Sequence, residues 1–470
     1  MADLASLYPA EELAFLRRVS EACRARGGRA LLVGGCVRSA LLGDTVYDLD
    51  VEVFGLTAEQ LDSVLQPLAA AEKVGRSFGV YKLRGWDIDV SLPRRERRTG
   101  SGHRDFAIEV DPGLSLPEAA RRRDFTVNAL YHDLLEDRIE DPLGGVADLR
   151  RGQLRHCSER FVEDPLRVLR GMQLAARLEA SLAPETERLA AGLDPAGLAP
   201  ERYRLEWEKL ITLGIRPSLG LEVLRSTGWT RFFPELHALI GCPQDPRWHP
   251  EGDVWNHTLH CLDAFAAHHR TGPREDDLVT GLAVLCHDTG KPVCTVEEKG
   301  AIRSPGHDKA GVRIARQFLE HLRFPACIIG EVLPLVACHM RPAVLYRDNS
   351  SDAAVRRLSR DCGRLDRLLR VFIADAAGRP PEGPGNAPEA AAWLRERARS
   401  LAVDKGGPPP LLGGKDLLRH GWEPGPAIGE MLAQAYEAQL DGAFNDREEA
   451  LRWLESRLAQ LSGKESPEMK

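Results

Sequence analysis

Several classes of protein are excluded by what this sequence lacks. Its ten cysteines are scattered and contain no CxxC pair, so neither a disulfide framework nor a zinc finger is predicted. The apolar run nearest to spanning length, Phe324–Met340, is interrupted by prolines and a glutamate, so we expect no run that spans a membrane. A signal-peptide pattern is also missing, because Asp3 and Glu11 come before any apolar core. We therefore expect a cytoplasmic protein with reduced thiols and no membrane partner.

A global excess of positive charge is absent as well, since the formal net charge is −7 over 470 residues. Basic residues nevertheless concentrate in the first 180 residues. Five arginines and one glutamate lie between Arg94 and Arg104, and seven arginines and three acidic residues between Arg150 and Arg177. Local basic stretches of this kind suit a phosphate backbone, although charged helix surfaces have the same composition.

Two aspartates on one strand give the sequence its most specific chemistry. The apolar segment Val46–Val53 is predicted to be a strand, and it contains Asp48 and Asp50. Residues two apart in a strand point the same way, so the two carboxylates should lie side by side. They would repel one another without a cation, and oxygen ligands of this kind suit Mg²⁺.

A glycine pair precedes these aspartates in the same unit of structure. The predicted buried strand Leu31–Val33 stops at Gly34-Gly35, and Arg38 follows in a short helical pattern. Glycines allow backbone N–H groups to approach a phosphate closely, and an arginine supplies positive charge there. The whole segment therefore predicts a site for a metal-bound phosphate, rather than a turn with solvated acids.

A third carboxylate could complete a two-metal site. Gly79–Leu83 and Ile88–Leu92 are predicted strands, and the second begins just after Asp87 and contains Asp89. We choose Asp89 as the third catalytic carboxylate. Asp87 could equally serve, and both could be solvent-facing acids at a strand edge.

Three further segments carry polar residues in distinctive patterns. Pro93–Phe106 is rich in arginine and glycine and is predicted to be a mobile loop. Arg121–Leu130 is predicted to open a helix with Arg123 and Asp124 at its start. Phe161–Arg170 is predicted to begin another helix, capped by Asp164, on which Arg167 and Arg170 continue one polar row.

A histidine-rich block follows in the second half of the chain. Nine of the 14 histidines lie between residues 249 and 339. His257, the adjacent pair His287-Asp288 and the later Asp375 all lie in apolar helical patterns. Imidazoles combined with carboxylates fit a divalent metal site, although a lone histidine is more often a satisfied core residue.

Taken together, these motifs resemble the class II tRNA nucleotidyltransferases and bacterial poly(A) polymerases, in order across about residues 31–210. The Gly34-Gly35 pair with Arg38, Asp48 and Asp50 is similar to the family's phosphate and metal motif. Arg123-Asp124 is similar to its ribose-binding motif. Glu163–Arg167 resembles the motif in which an Asp and an Arg, here Asp164 and Arg167, read the base of CTP or ATP; Arg170 lies behind them.

The resemblance also implies the fold and the partners. It implies an α+β protein: a small mixed, polymerase-β-like nucleotidyltransferase head, then a mostly α-helical body, an HD domain and a C-terminal helical module. The implied boundaries are residues 1–150, 151–245, 246–380 and 381–470. The implied partners are tRNA or another RNA 3′ end, CTP and ATP, but not DNA, with Mg²⁺ as cofactor.

The histidine-rich block resembles the HD phosphohydrolase domain that some members carry. His257, His287, Asp288 and Asp375 match its metal ligands, so a second divalent ion such as Ni²⁺ or Mn²⁺ is expected there. A structural helical domain with packed histidines is the alternative.

One position departs from the family pattern. Ser39 follows Arg38 where the family usually has Asp. CCA addition is the predicted activity, and the Arg-rich segment 94–106, which matches the flexible loop of CCA-adding members, favours it. Poly(A) synthesis, partial addition of CC or A, and an inactive RNA-binding protein remain alternatives.

Overall fold

The computed structural model describes residues 4–46, 48–74, 79–98, 106–381 and 383–462. The chain divides into two compact units, Met1–Phe232 and Phe233–Lys470. The division into four domains expected from the sequence stays a prediction.

A seven-stranded mixed sheet forms the core of the first unit. The strands of this unit are β1 (Arg29–Val33), β2 (Leu49–Phe54), β3 (Ala71–Val74), β4 (Val80–Leu83), β5 (Ile88–Ser91), β6 (Arg94–Arg98), β7 (Phe106–Val110), β8 (Tyr131–Asp133), β9 (Arg138–Glu140), β10 (Gln153–Leu154) and β11 (Ser181–Leu182). The large sheet has the order β3-β4-β5-β2-β1-β8-β9, and within it β2 and β5 are the parallel pair. This pairing places the two predicted carboxylate strands next to each other.

The first helices of this unit pack against the sheet, and the later ones pack against one another. They are α1 (Ala10–Arg24), α2 (Gly35–Leu42), α3 (Ala58–Leu65), α4 (Leu116–Ala120), α5 (Gly145–Arg150), α6 (Leu166–Leu178), α7 (Pro184–Ala191), α8 (Pro200–Leu213) and α9 (Pro217–Ser226). Buried side chains of α1, α2 and α3 pack with the apolar face of the sheet into one core. Among the later helices, α6 packs against both α8 and α9. A mixed head followed by helices confirms the predicted fold class.

Two predictions for the first unit are wrong. The segment Pro93–Phe106, predicted to be a mobile loop, contains β6 and ends at the first residue of β7, and these two strands pair antiparallel; residues 99–105 lie outside the described part of the chain. The helix predicted to open within Arg121–Leu130 is instead a 3₁₀ turn, Thr126–Asn128, that leads into β8. The reason is local: the carboxylate of Asp124 accepts hydrogen bonds from the backbone N–H of Phe125 (2.7 Å) and from the Asn128 amide (3.0 Å), which favours a turn over a helix.

The second unit is mostly helical. Its elements are α10 (Pro234–His237), α11 (Val254–Ala264), α12 (Arg274–Cys286), α13 (Lys291–Cys294), β12 (Val296–Glu298), β13 (Ala301–Arg303), α14 (His307–His321), α15 (Ala326–Cys338), α16 (Arg341–Arg347), α17 (Asp352–Cys362), α18 (Leu365–Ala377), α19 (Ala387–Ser400), α20 (Gly414–Arg419), α21 (Pro426–Asp441) and α22 (Arg447–Ser462). Helices α11 and α12 pack against α18, and α15 packs against α12 and α14. Most of the histidine-rich segment lies on four of these helices, α11, α12, α14 and α15, and the fifth, α18, carries Asp375.

The expectation that no apolar run reaches spanning length is corrected here. The helical run Ala326–Arg347 has 22 residues and is long and apolar enough to cross a membrane by length and composition alone. More than half of its most apolar window is buried within the structure, as in a core helix. All ten cysteines are free thiols, as the sequence predicted.

Candidate active site and candidate metal centre

The first candidate site begins with the carboxylates at the parallel strand pair. Asp48 lies directly before β2, and Asp50 is opposite Asp89 in the register of β2 and β5. Leu49 and Val51 are buried while Asp48 and Asp50 are exposed, so the two carboxylates share the open face of the sheet. The structure therefore brings together the aspartates that the period of a strand predicts.

The electrostatics of these carboxylates favour a bound cation. Desolvation of its carboxylate by the surrounding protein, together with the charges of Asp48 and Asp89, raises the pKa of Asp50 to about 6, although Arg123 opposes this shift. Burial, Asp87 and Asp89 likewise raise the pKa of Asp48. Neighbouring carboxylates with raised pKa values are neutralised best by a divalent ion, so the residues fit a metal.

The position of Asp89 is less decisive. Its Oδ2 atom lies 3.6 Å from Nζ of Lys82. Within the described part of the chain, Asp48, Asp50 and Asp89 are not among the groups of three or more ligand atoms within 4.8 Å of one another. The role of Asp89 as third carboxylate stays a prediction.

The side chain of Arg123 lies between the glycine turn and the acidic strand. Gly34 has φ +82°, and a Cβ atom there would lie 3.3 Å from Nη1 of Arg123. Nη2 of Arg123 lies 3.2 Å from Oε2 of Glu52, which follows Asp50 on the same face of β2. Gly35 begins α2 directly after the turn. Glycine thus leaves room for the guanidinium group next to the carboxylates.

A buried polar network continues from Arg38. This guanidinium group is 4% exposed and donates a hydrogen bond to Oδ1 of Asn128, whose amide donates to Asp124. Burial lowers the pKa of Arg38 to about 10, and Arg177 adds to the effect. Nε of Arg38 is buried without a hydrogen-bond partner. Arg38 therefore contacts the protein interior, and its predicted contact with a phosphate stays a prediction.

Asp124 joins this network to the helix α6. Its Oδ2 accepts a hydrogen bond from Nε of Arg170 at 2.6 Å. Burial opposes ionisation, but Arg170, Asn128 and the N–H of Phe125 outweigh it and hold the pKa of Asp124 below its usual range. Arg170 thus pairs with Asp124, and not with the polar row on its own helix that the spacing suggested.

The two predicted base-reading residues lie at the beginning of α6. Oδ1 of Asp164 accepts from the N–H of Leu166 (3.1 Å), and its Oδ2 accepts from Nη2 of Arg202 (2.8 Å). The guanidinium group of Arg167 donates to the backbone carbonyls of Arg160 (2.7 Å) and Arg122 (3.0 Å). These bonds fix the start of α6 against the segment that ends in Asp124.

Three residues of this site were missed from the sequence. Glu52 could have been found, because it is the next same-face residue after Asp48 and Asp50 on the strand. Asn128 and Arg202 gave no signal, since their contacts depend on how distant segments pack.

The second candidate site combines all four predicted ligands in the second unit. His257 comes from α11, His287 and Asp288 from the end of α12, and Asp375 from α18. Nε2 of His257 lies 3.0 Å from Oδ1 of Asp375, and Nε2 of His287 lies 3.3 Å from Oδ2 of Asp288. Each of the four side chains is buried.

Hydrogen bonds behind the histidines orient their rings. Nδ1 of His257 lies 2.8 Å from Oε1 of Glu251, and Nδ1 of His287 lies 2.7 Å from the carbonyl of Val284. Nε2 of His287 is buried and has no hydrogen-bond partner. The Nε2 atom of His287 is therefore free to bind a metal, and the four predicted ligands fit a divalent ion.

The two carboxylates at this site remain ionised. Burial opposes the charge on Asp375, but the hydrogen bond with His257 and nearby positive groups hold its pKa well below the usual range. The same balance, with His287 and Lys291 as the main opposing groups, lowers the pKa of Asp288. Cys261, one helical turn after His257, was missed from the sequence; its Sγ lies 3.4 Å from Nε2 of His257.

Comparison with known protein families identifies two domains in the chain. Residues 30–155 match the family model described as the poly A polymerase head domain, and residues 254–376 match the HD domain. The chain is thus an RNA nucleotidyltransferase that also carries an HD domain. Both kinds of domain imply the use of divalent metal ions.

The relatives define the family more narrowly. The multifunctional CCA protein of Xylella fastidiosa (strain 9a5c) is 35% identical over 421 residues, which cover 87% of this chain and 95% of the relative. That of Xanthomonas campestris pv. campestris (strain B100) is 34% identical over 431 residues, covering 89% of this chain and 99% of the relative. The chain belongs to the multifunctional CCA protein family.

Solved structures support the fold. The CCA-adding enzyme of Bacillus stearothermophilus in complex with CTP matches with a TM-score of 0.68 and 23% identity, covering 97% of this chain and 99% of that one. The Thermotoga maritima CCA-adding enzyme complexed with tRNA matches with a TM-score of 0.59 and 19% identity, covering 97% and 98%.

We predict that Asp50→Asn stabilises the metal-free protein more at high pH than at low pH. Because the pKa of Asp50 is raised from 3.8 to about 6, the folded state binds its proton more tightly than the unfolded chain does. Wild-type stability therefore falls as pH rises through this window and stays reduced above it. Because the Asp50 side chain is exposed and solvent screens the repulsion, the substitution should raise the melting temperature by only roughly 1–3 °C near pH 8 and have little effect near pH 4.

The measurement is thermal unfolding in EDTA across that pH range. Asp44→Asn, at an exposed position in the turn after α2, is the matched control and should show no such trend. Equal effects of the two substitutions at every pH would contradict the repulsion assigned to Asp50.

Proposed function

We propose that this chain adds C, C and A to the 3′ end of tRNA, using CTP and ATP without a nucleic-acid template. The observation that carries the proposal is the open carboxylate pair of Asp48 and Asp50, which lies beside the Gly34 turn and Arg123. Relatives named multifunctional CCA protein support it, and so do fold neighbours described with CTP, ATP and tRNA. The free thiols and these substrates fit a reducing cytoplasm.

The reaction requires an in-line displacement at phosphorus. The 3′-oxygen of the RNA forms a bond to the α-phosphorus of the incoming nucleotide and loses its proton, while the bond to the pyrophosphate oxygen breaks. Mg²⁺ ions bound to Asp48 and Asp50 would lower the pKa of the attacking hydroxyl group and neutralise the triphosphate. Positioning and charge neutralisation supply most of the acceleration in such transfers.

The remaining residues hold the nucleotide. The backbone N–H of Gly35 would bind the triphosphate, with Arg38 adding positive charge near the turn, while the N–H of Gly34 donates to the carbonyl of Leu130 (3.1 Å). Arg123 and Asp124 would contact the ribose, and Arg170 keeps Asp124 ionised and in place.

Base selection is assigned to Asp164 and Arg167. A carboxylate and a guanidinium group offer complementary acceptors and donors to the edges of cytosine and adenine. A mismatched base would leave buried polar groups unpaired, which costs free energy. The side chain of Asp164 would have to exchange its bond with Arg202 for the base.

We predict that Asp48→Ala abolishes nucleotide incorporation and leaves tRNA binding measurable. Purified protein is incubated with tRNA lacking its last three nucleotides, plus CTP, ATP or both, and product lengths are resolved on gels. Loss of the carboxylate should reduce the rate by roughly 10³-fold or more, because metal binding is lost. Wild-type product lengths distinguish CCA addition from addition of CC or A alone and from poly(A) synthesis.

Retained turnover in this variant would contradict the two-metal assignment. The absence of any product from wild-type protein would favour the remaining alternative, an inactive RNA-binding protein with Ser39 as its altered position.

We predict that Arg167→Ala relaxes the choice of base. Discrimination among the four nucleoside triphosphates, measured as ratios of kcat/KM, should fall roughly 10-fold to 100-fold, because the guanidinium donors are lost. Arg160→Ala is the control, since its side chain lies 3.6 Å from Glu163 and only its backbone carbonyl contacts Arg167. Unchanged ratios in Arg167→Ala would refute its role in base reading.

We also propose that the HD part hydrolyses phosphomonoesters or cyclic phosphates with a divalent ion such as Ni²⁺ or Mn²⁺. The buried side chains of His257, His287, Asp288 and Asp375 support this function, since three of them, His257, His287 and Asp375, form one group of close ligand atoms with Cys261. We predict that His257→Ala lowers hydrolysis of a 2′,3′-cyclic nucleotide by roughly 100-fold or more. The exposed His260→Ala, on the same helix, is the control. An absence of metal-dependent hydrolysis in wild-type protein would favour a purely structural helical domain.

A further inference from the structure

A buried cysteine belongs to the ligand group of the HD part. Of the cysteines in the described ranges, Cys261 is the one that joins a group of three or more ligand atoms within 4.8 Å of one another. Its partners in that group are His257, His287 and Asp375, and all four side chains are buried. The family resemblance supplies the histidine and aspartate ligands, but it does not supply the thiol.

Helical spacing places this thiol beside the first histidine. Cys261 follows His257 by one turn of α11, so the two side chains lie on the same face of that helix. Sγ of Cys261 lies 3.4 Å from Nε2 of His257, and the same Nε2 atom lies 3.0 Å from Oδ1 of Asp375. Ligand atoms around one ion are separated by about 3–4 Å, because metal bonds to nitrogen, oxygen and sulfur are about 2.0–2.3 Å long.

A glycine leaves the space that the thiol occupies. A Cβ atom at Gly378 would overlap Sγ of Cys261. Gly378 directly follows α18, the helix that carries Asp375, and its carbonyl oxygen lies 3.2 Å from Nδ1 of His257. The missing side chain therefore allows α11 to bring both its histidine and its cysteine against the end of α18.

The remaining histidine of the group points to a ligand independently of the cysteine. Nε2 of His287 is buried without a hydrogen-bond partner and lies 3.8 Å from Oδ1 of Asp375. A buried polar atom without a partner costs free energy, which a bound ion would recover. An ion that contacts this nitrogen within the group is also within reach of the sulfur of Cys261.

We propose that Cys261 is a thiolate ligand of the HD metal centre, where one ion is bound by two imidazoles, a carboxylate and a sulfur atom. The proposal rests on the HD function proposed above and narrows the class of ion that this centre takes. When the ion binds, the S–H bond breaks, the proton leaves to solvent, and the sulfur donates its electron pair to the ion. Sulfur ligands favour softer ions, so we expect a preference for Ni²⁺, Co²⁺ or Zn²⁺ over Mn²⁺.

The test uses Co²⁺ as a spectroscopic probe of the full-length chain. All proteins carry Asp48→Asn and Asp50→Asn, so that the head does not contribute ions, and a phosphine keeps the thiols reduced. Sulfur bound to Co²⁺ gives a charge-transfer band in the near ultraviolet that nitrogen and oxygen ligands do not give. We expect this band in the parent and its loss in Cys261→Ser. Cys286→Ser, at a buried cysteine next to His287, is the matched control and should keep the band.

A second measurement compares the ions directly. The ratio of the dissociation constants for Mn²⁺ and Ni²⁺, obtained by equilibrium dialysis, should fall roughly 10-fold in Cys261→Ser, because a hydroxyl group is a harder ligand than a thiolate. Circular dichroism of the metal-free proteins checks that both serine variants are folded.

The outcomes separate this proposal from the earlier one. Bound Co²⁺ without the near-ultraviolet band in the parent would overturn the thiolate ligand and leave the proposed phosphohydrolase intact, and this result needs no variant. A band that persists in Cys261→Ser would belong to another cysteine and would overturn the proposal equally. A band lost in Cys261→Ser, in a chain that hydrolyses no 2′,3′-cyclic nucleotide, would support the ligand and contradict the proposed hydrolysis. No bound Co²⁺ at all would contradict both.

Discussion

The close packing of carboxylates with other charged groups is the constraint on which both candidate sites depend. Asp48 and Asp50 share an open sheet face, and the pKa of Asp50 is raised to about 6 by burial and by neighbouring carboxylates. In the second unit, Asp288 and Asp375 are buried and stay ionised because histidines and Lys291 surround them. Asp50 is therefore under repulsion that a nearby cation would reduce, whereas the charges of Asp288 and Asp375 are already compensated by neighbouring positive groups.

The polar network around Asp124 explains how the first unit keeps its site in register. Asp124 accepts hydrogen bonds from Arg170 on α6 and from Asn128, and Asn128 in turn accepts from Arg38 on α2. Arg167 adds bonds from α6 to the carbonyl of Arg122. The proposed base-reading residues on α6 are thereby coupled to the glycine turn, through buried bonds that are costly to break singly.

Sequence reasoning succeeded where a repeating or ordered pattern of residues carried the information. The alternation around Asp48 and Asp50 follows from the geometry of one strand, and the fold class follows from ordered motifs. It failed where individual side-chain hydrogen bonds decide the structure, whether their partners are near or far along the chain. Arg121–Leu130 resembled a helix start because the hydrogen bonds of Asp124 to Phe125 and Asn128 cannot be read from composition. Arg202 was missed for the same reason, since its partner Asp164 is 38 residues away.

The contrast between the two sites has a chemical consequence. The head offers exposed carboxylates that, among the described residues, do not form a tight group of three ligands, so in the proposed reaction phosphate oxygens of the nucleotide would complete the coordination of a divalent ion. The HD part presents buried imidazoles already oriented by hydrogen bonds from behind, and its ligands need no help from a substrate. A metal at the head is therefore expected to arrive with its nucleotide and leave with pyrophosphate, whereas metal in the HD part stays with the protein between turnovers.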